Sequence, residues 1–328
     1  MSTSSYFDTR GDQLSKITFL LTTVFLISLA GFRPAGVDRD YLQYVNLMLN
    51  EDRPQMEPTF KFISYWLKSI FSDPVLPFFL IYAIIGVTLK VIAIRKISNF
   101  FLLSIVVYFS YSFILHDTTQ IRAGAAIGFA LLSITPLYER KFLQFLSLII
   151  IATLFHYSSF VILVLWFLNP KKFNQLSYLL LLIISYFAVS YAKFFVIFMF
   201  TYFPEDFQSR AASYDGDFDS TLNIFNTWQL IRCVLCVVFI TYANKLLLYN
   251  NYAFLLIKIY VVGTAIYVLL SSNPAFAGRI SDLFFAFDIL TLPMLVNLFQ
   301  YKPAGKIVII GIASTYLFLN LYYLKIIS

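Results

Sequence analysis

Residues 116–137 read HDTTQIRAGAAIGFALLSITPL, and this stretch decides the fold. A polar knot, His116-Asp117-Thr118-Thr119-Gln120, leads directly into an apolar run from Ile121 to Leu137 with Arg122 at its mouth. An apolar run of this length is that of a membrane helix, and an arginine persists at its mouth when a partner or a ligand stabilises the charge.

Working outward, similar runs of about 14–25 residues recur from one end of the chain to the other. The 328 residues are 60% hydrophobic and only 12% charged, with mean hydropathy +0.78. A soluble domain would be about a quarter charged. The expected fold class is therefore all-α, a polytopic integral membrane protein forming one domain over residues 1–328. About eleven transmembrane helices are expected, near 17–32, 75–94, 100–115, 121–138, 142–155, 157–168, 176–200, 226–244, 252–271, 280–299 and 306–324. The first run, Ile17 to Ala30, lacks a small-x-small cleavage site and leads into Arg33-Pro34, so it reads as a retained helix.

The net charge of +7 does not indicate nucleic-acid binding, because the basic residues punctuate alternate loops. Arg95 and Lys96, Arg140 and Lys141, Lys171 and Lys172, Lys245, and Lys302 and Lys306 share one side. The rule that cytoplasmic loops are basic then puts the N-terminus in the cytoplasm and the C-terminus outside. Most acids fall on the outer side in this scheme, Asp117 and Asp282 included, and Asp288 is the acid within a span. The other in-span charges read as lying near helix ends. No Walker-type or GxGxxG sequence occurs, so the chemistry is external and does not use ATP directly. Cys233 and Cys236 have redox-pair spacing, but their apolar helical surroundings make them packing residues.

Two external segments are long. Within residues 33–73, the stretch 58–72 places Phe60, Ile63, Leu67, Ile70 and Phe71 on one helical face and Lys61, Ser64 and Lys68 on the other, the pattern of an amphipathic helix lying in the bilayer interface. The second segment, 204–226, is rich in Asp, Ser and Gly. Conversely, one pair of spans is short. Only 27 residues, Phe142 to Leu168, separate Lys141 from Asn169, whereas two full crossings need about 40. A single crossing would violate the charge rule, so two short helices must meet at His156-Tyr157-Ser158-Ser159. That turn is recessed below the outer surface, where it lines a polar cavity.

Arginine suits a diphosphate, because its planar fork stays charged and donates in pairs. Arg33, Arg122, Arg210 and Arg279 all lie near the outer boundary, with Arg122 and Arg279 each opening a span beside polar residues. Snorkelling to lipid headgroups is the plainer role for any one of them. The two histidines, His116 and His156, are both external and have the pKa range of a general base toward a sugar hydroxyl. No HxxxH or HExxH spacing suggests a metal, and no cofactor is called for. Asp38, Asp40 and Glu57 cluster in the first external loop with Tyr41 and Tyr44, and aromatics with carboxylates suit sugar rings. Asp40 and Glu57 are alternative bases. Asp38, Tyr41, Tyr44, His116 and Gln120 are candidates to hold an acceptor sugar.

The ordered pieces Arg33-Pro34-x-Gly36-x-Asp38-x-Asp40-Tyr41-x-x-Tyr44, Glu57-Pro58-x-Phe60, Gln120-Ile121-Arg122-x-Gly124-x-Ala126 and Ala152-x-x-Phe155-His156-x-Ser158-Ser159, with Arg279 opening a later span, resemble the EpsG/Wzy-type family of bacterial exopolysaccharide and O-antigen polymerases. The match is strongest over residues 30–170. The family's usual Arg-Gln pair is absent here, since Ala123 follows Arg122. The resemblance implies an inverting, metal-independent glycosyltransferase with a GT-C-like membrane fold in the bacterial inner membrane. Donor and acceptor would be polyprenyl-diphosphate-linked oligosaccharide repeats on the periplasmic side, with membrane lipids and a chain-length regulator as further partners. Such a site needs cations for the leaving diphosphate and one base for the attacking hydroxyl.

Three other classes compete. An O-antigen ligase would usually carry a larger late external loop than 204–226. A lipid-linked oligosaccharide flippase or other transporter often shows duplicated halves, and no clear internal repeat is present. An O-acyltransferase needs a route for a cytoplasmic acyl donor, which the short cytoplasmic loops do not offer.

Overall fold

Helices carry the whole architecture. The computed structural model describes residues 4–50, 56–202 and 222–323, and no strand forms among them. The helices are α1 (Ser4–Gly31), α2 (Tyr41–Leu49), α3 (Pro58–Ile70), α4 (Val75–Ile97), α5 (Phe101–Tyr108), α6 (Ile121–Leu132), α7 (Ile134–Tyr138), α8 (Phe142–Phe155) and α9 (Gln175–Tyr202). They continue as α10 (Thr227–Thr241), α11 (Ala243–Leu247), α12 (Ala253–Leu269), α13 (Pro274–Phe285), α14 (Asp288–Thr291) and α15 (Lys302–Phe318). Each of the eleven expected spans coincides with a helical segment. Six are long and apolar enough to cross a membrane: Leu14–Gly31, Val75–Ile97, Phe101–Thr119, Ile121–Tyr138, Phe276–Leu298 and Lys302–Tyr322. The protein is an all-helical membrane protein.

The basic loops gather at one end of the bundle. Asn250 Nδ2 donates to the Ile97 carbonyl at 2.9 Å, Lys245 Nζ to Leu298 at 3.2 Å, and Gln175 Nε2 to Ile240 at 3.0 Å. Lys258 Nζ donates to the carbonyls of Asn169 and Lys172. These bonds knit the ends of α4, α9, α10 and α12 together, so the alternation of basic loops in the sequence becomes one basic face.

The short pair of expected spans forms a helical hairpin. Arg140 Nη1 donates to the carbonyls of Trp166 and Leu168, at 2.8 and 3.1 Å, so the chain returns to the end where α8 began. The returning limb, Tyr157–Phe167, is a 3-10 helix. At about 2.0 Å per residue it rises as far in 11 residues as α8 does in 14 at about 1.5 Å, roughly 21–22 Å each. That falls short of a hydrocarbon core of about 30 Å. The two limbs meet at His156, where the backbone is extended (φ −154°, ψ 110°).

A π-helix, Phe109–Thr119, continues α5 to complete one span. Its wide turns follow from hydroxyls that bond back to the backbone: Thr118 Oγ1 to Ile114 at 2.5 Å and Thr119 Oγ1 to the same carbonyl at 3.1 Å. It ends with Gln120 N bonded five residues back, to Leu115, at 2.8 Å. Two expectations are corrected here. Asp117, expected in an external polar knot, is 3% exposed and paired at 2.8 Å with Lys90, which is wholly buried inside α4. Lys90 Nζ also donates to the Gly124 carbonyl at 2.5 Å and to Gly86 at 3.4 Å, and Tyr108 donates its hydroxyl to Asp117 Oδ2 at 2.6 Å. Asp282, also expected outside, lies within the bundle and accepts the Tyr111 hydroxyl at 2.6 Å. Charges inside the spans are thus not confined to Asp288 and helix ends: Lys90 sits there too, accepted by partners on neighbouring helices, and so does Arg232, stacked on the Phe285 ring.

Glycine makes the Lys90 cluster possible. A Cβ at Gly86 would collide with Asp117 Oδ1, and one at Gly124 with the His116 carbonyl, so α4 and α6 cross at hydrogen-bonding distance only with both glycines.

The helix over 58–72 exists as α3, and its expected apolar face turns inward at Phe60, Ile63 and Leu67, but Ser64 joins the buried side and Ile70 and Phe71 are exposed. Phe60, Ser64 and Leu67 point inward, Phe60 edge-on to Phe78 at 5.3 Å. Phe62, Tyr65, Trp66, Ile70 and Phe71 are exposed. Both faces are apolar, so packing rather than polarity chose which one to bury.

Candidate functional site

Two segments distant in sequence meet at Glu57. Glu57 caps α3 at its N-terminus ahead of Pro58, whose missing N–H is tolerated at a helix start. Thr59 Oγ1 donates to the Leu154 carbonyl at 2.7 Å, drawing the first external loop down onto the hairpin. Glu57 Oε1 then lies 3.4 Å from His156 Nδ1, and Glu57 Oε2 pairs with Arg122 Nη1. The Glu57 side chain is 4% exposed, against 23% for Arg122 and 20% for His156. The carboxylate therefore forms the floor, and the two cationic or titratable groups face the opening.

Arg122 is held from several sides. Its guanidinium carbon is 5.5 Å from the Tyr44 ring centre and 5.8 Å from that of Phe60, with Met56 Sδ 3.9 Å from Nη1. Its Nε is buried without a protein partner. Arg122 is in the first turn of α6, and no side chain caps that N-terminus. Uncapped N–H groups and a guanidinium at one helix start favour an anion.

Burial alone would raise the Glu57 pKa, but His156, with Nδ1 3.4 Å away, and the charge of Arg122 outweigh it and hold the carboxyl at about 2. Asp40, which precedes α2, is shifted the other way. Burial raises its pKa, while Arg39, Arg279 and Arg122 oppose this and Asp38 adds to it. Asp40 is thus within electrostatic reach of both Arg122 and the exposed Arg279 on α13. Burial also pushes the Tyr44 hydroxyl above its usual range, with Arg122 opposing.

The sequence candidates therefore divide. Arg122, Glu57, His156 and Tyr44 converge, with Asp40 and Arg279 at longer electrostatic range. Arg33 and Asp38 instead bond to one another at 2.7 Å, and Arg33 also donates to the Ala30 carbonyl at 2.6 Å and lies over the Phe79 ring at 4.3 Å. Tyr41 stacks on Phe79 at 4.5 Å. These three fasten the loop behind the cleft. Gln120 is half-buried at the start of α6, and His116 is buried beneath the cleft with neither ring nitrogen bonded. Arg210 lies outside the described residues, as does most of the 204–226 loop. Sequence reasoning missed the Lys90–Asp117 pair and the group around Arg232. The signal for both was a lone cation within an apolar run. Cys236 packs in the core and donates to Thr264 Oγ1 at 3.4 Å, and both cysteines are free.

Several apolar helices that carry a polar cluster of Arg122, Glu57 and His156 define a polytopic membrane protein with a polar site. The EpsG family model matches residues 16–328, nearly the whole chain, and the protein belongs to the EpsG family. The chain is also 26% identical over 308 residues to the amylovoran biosynthesis protein AmsC of Erwinia amylovora, covering 86% of this chain and 81% of that protein. No solved structure matches it.

Proposed function

We propose that this protein is an exopolysaccharide polymerase, a glycosyltransferase that joins polyprenyl-diphosphate-linked oligosaccharide repeats on the outer side of the bacterial inner membrane. All eleven helical segments lie in the membrane, with the basic end cytoplasmic and the cleft periplasmic. The observation that carries this reading is the meeting of Arg122, Glu57 and His156 at the turn of the hairpin, inside a family whose relative AmsC is named for amylovoran biosynthesis.

The chemistry follows from the arrangement. Arg122 and Arg279 hold the donor diphosphate, whose negative charge grows as the glycosidic bond to it breaks. His156 accepts the proton of the attacking acceptor hydroxyl. Glu57 is a poor base at about 2, but it orients His156 through Nδ1 and stabilises the imidazolium that forms. Asp40 and Tyr44 border the place where the acceptor sugar enters. Attack from the face opposite the diphosphate inverts the anomeric centre, and no step calls for a metal.

The test is genetic. Deleting the gene should leave single repeats and no long polymer, and the intact chain should restore the ladder. Loss of single-repeat transfer together with the ladder would instead indicate a ligase.

A further inference from the structure

The π-helix separates two buried polar groups of opposite character. On one side, Lys90 and Asp117 are complete: all three Lys90 bonds and both Asp117 oxygens have partners. On the other side, Arg232, Asp282, Asp288, Tyr111, Tyr260 and Tyr316 come together from α10, α13, α14, the π-helix, α12 and α15. Here the Tyr111–Asp282 bond closes, while Tyr316 lies close to Tyr260 and Arg232 without a well-aligned bond to either. Arg232 Nε, Asp288 Oδ1, Tyr260 Oη and Tyr316 Oη are all buried with no bond of good geometry, in residues 7%, 4%, 1% and 2% exposed. Each unmet buried polar group costs about 1–3 kcal/mol, so four in one place mark a site that something else satisfies.

The group adjoins the proposed cleft. Arg279, in reach of Asp40, and Asp282 share α13, three residues or about 4.5 Å apart along the axis. His116, within electrostatic reach of His156, meets the Tyr111 ring edge-on at 6.3 Å. The charge rules out a diphosphate, because one arginine faces two aspartates. The walls are aromatic: Trp228 lies 4.6 Å from the Tyr316 ring, and Arg232 is stacked on Phe285 at 3.3 Å. Mixed donors and acceptors between aromatic faces fit a neutral, hydroxyl-rich ring.

We propose that this inner group is a saccharide subsite, where hydroxyls of a lipid-linked repeat bond to Asp288, Tyr260, Tyr316 and Arg232 while its diphosphate stays at the outer arginines. The assignment rests on the polymerase reading. Tyr316→Phe and Tyr260→Phe are the sharp probes, since each removes one of these hydroxyls and keeps the ring. If the group is only hydrated core, both changes leave activity and KM unaltered. If it is a subsite, KM for the repeat rises about tenfold, one hydrogen bond's worth, with kcat and melting temperature close to wild type. The assay uses the full chain in proteoliposomes, with the lipid-linked repeat extracted from source cells lacking the gene. Asp288→Asn should raise KM likewise. Independently of any polar variant, the repeat should quench a part of the protein fluorescence that Trp228→Phe abolishes. Wild-type KM in both tyrosine variants, or no Trp228-dependent quenching, overturns the subsite. Failure of the polymerase reading is seen separately: the wild-type chain would then form no polymer from the repeat at all.

Discussion

Glu57 Oε1 stands 3.4 Å from His156 Nδ1 while Glu57 Oε2 is paired with Arg122, so a single carboxylate links the first external loop, the helical hairpin and the start of α6. Its two neighbours are the groups assigned to the two halves of the reaction, the base and the diphosphate ligand.

His156→Gln should lower the rate of polymer formation by about 10²–10⁴, the usual contribution of a general base. Glutamine preserves hydrogen bonding, so protein abundance should hold. Glu57→Gln should lower the rate less, because it weakens the orientation of His156 without removing the base. Rates with the purified variants check the order. An active His156→Gln beside an inactive Glu57→Gln or Asp40→Asn would move the base into the first loop.

Arg122→Lys and Arg279→Lys should each reduce activity about tenfold to a hundredfold, although charge is kept, because the paired donors are lost. Arg33→Lys should act on folding instead, since Arg33 is engaged with Asp38 and Ala30. Polymer ladders compared at matched abundance separate the two effects. Normal ladders from both Arg122→Lys and Arg279→Lys would place the diphosphate elsewhere.

The pH dependence has a definite sign. The folded Glu57 pKa, about 2, is below its ordinary 4.5. Its ionised form therefore stabilises the fold above pH 4.5, and that contribution disappears as pH falls toward about 2. Between pH 5 and 8 Glu57 itself stays ionised, so Glu57→Gln should lower the height of the activity profile and, by removing a negative charge beside the proposed base, move its acid limb to lower pH. An acid limb that stays in place in Glu57→Gln would show that Glu57 does not act on the base.

Lys90→Met should destabilise the protein by about 3–5 kcal/mol, because it leaves Asp117 charged and buried. The double variant Lys90→Met with Asp117→Leu should recover much of that loss. Thermal melts in detergent decide this, and a double variant no more stable than Lys90→Met would contradict the pairing.

Much of the cleft was legible because its residues break an apolar background. Arg122 interrupts a run, and His156 falls where 27 residues must turn back on themselves. Lys90 and Asp117 were not legible as a pair. Hydropathy along the chain shows neither that the π-helix carries Asp117 into the bundle nor that two glycines let α4 approach α6 closely enough for the bond. Period reading found α3 and the inward side of Phe60, Ile63 and Leu67, but not that Ser64 is buried with them or that Ile70 and Phe71 are exposed, which depends on packing against Tyr44 and Phe78. Asp38 and Arg33 looked free to bind substrate because five residues of sequence conceal a 2.7 Å ion pair.

The most direct test is reconstitution of the purified chain in proteoliposomes with a polyprenyl-diphosphate-linked repeat as the sole saccharide. The account predicts a ladder of lengthening polymer, release of one polyprenyl diphosphate for each linkage formed, and loss of both in Arg122→Lys. Movement of the repeat across the bilayer without any new linkage would contradict it and identify a transporter instead.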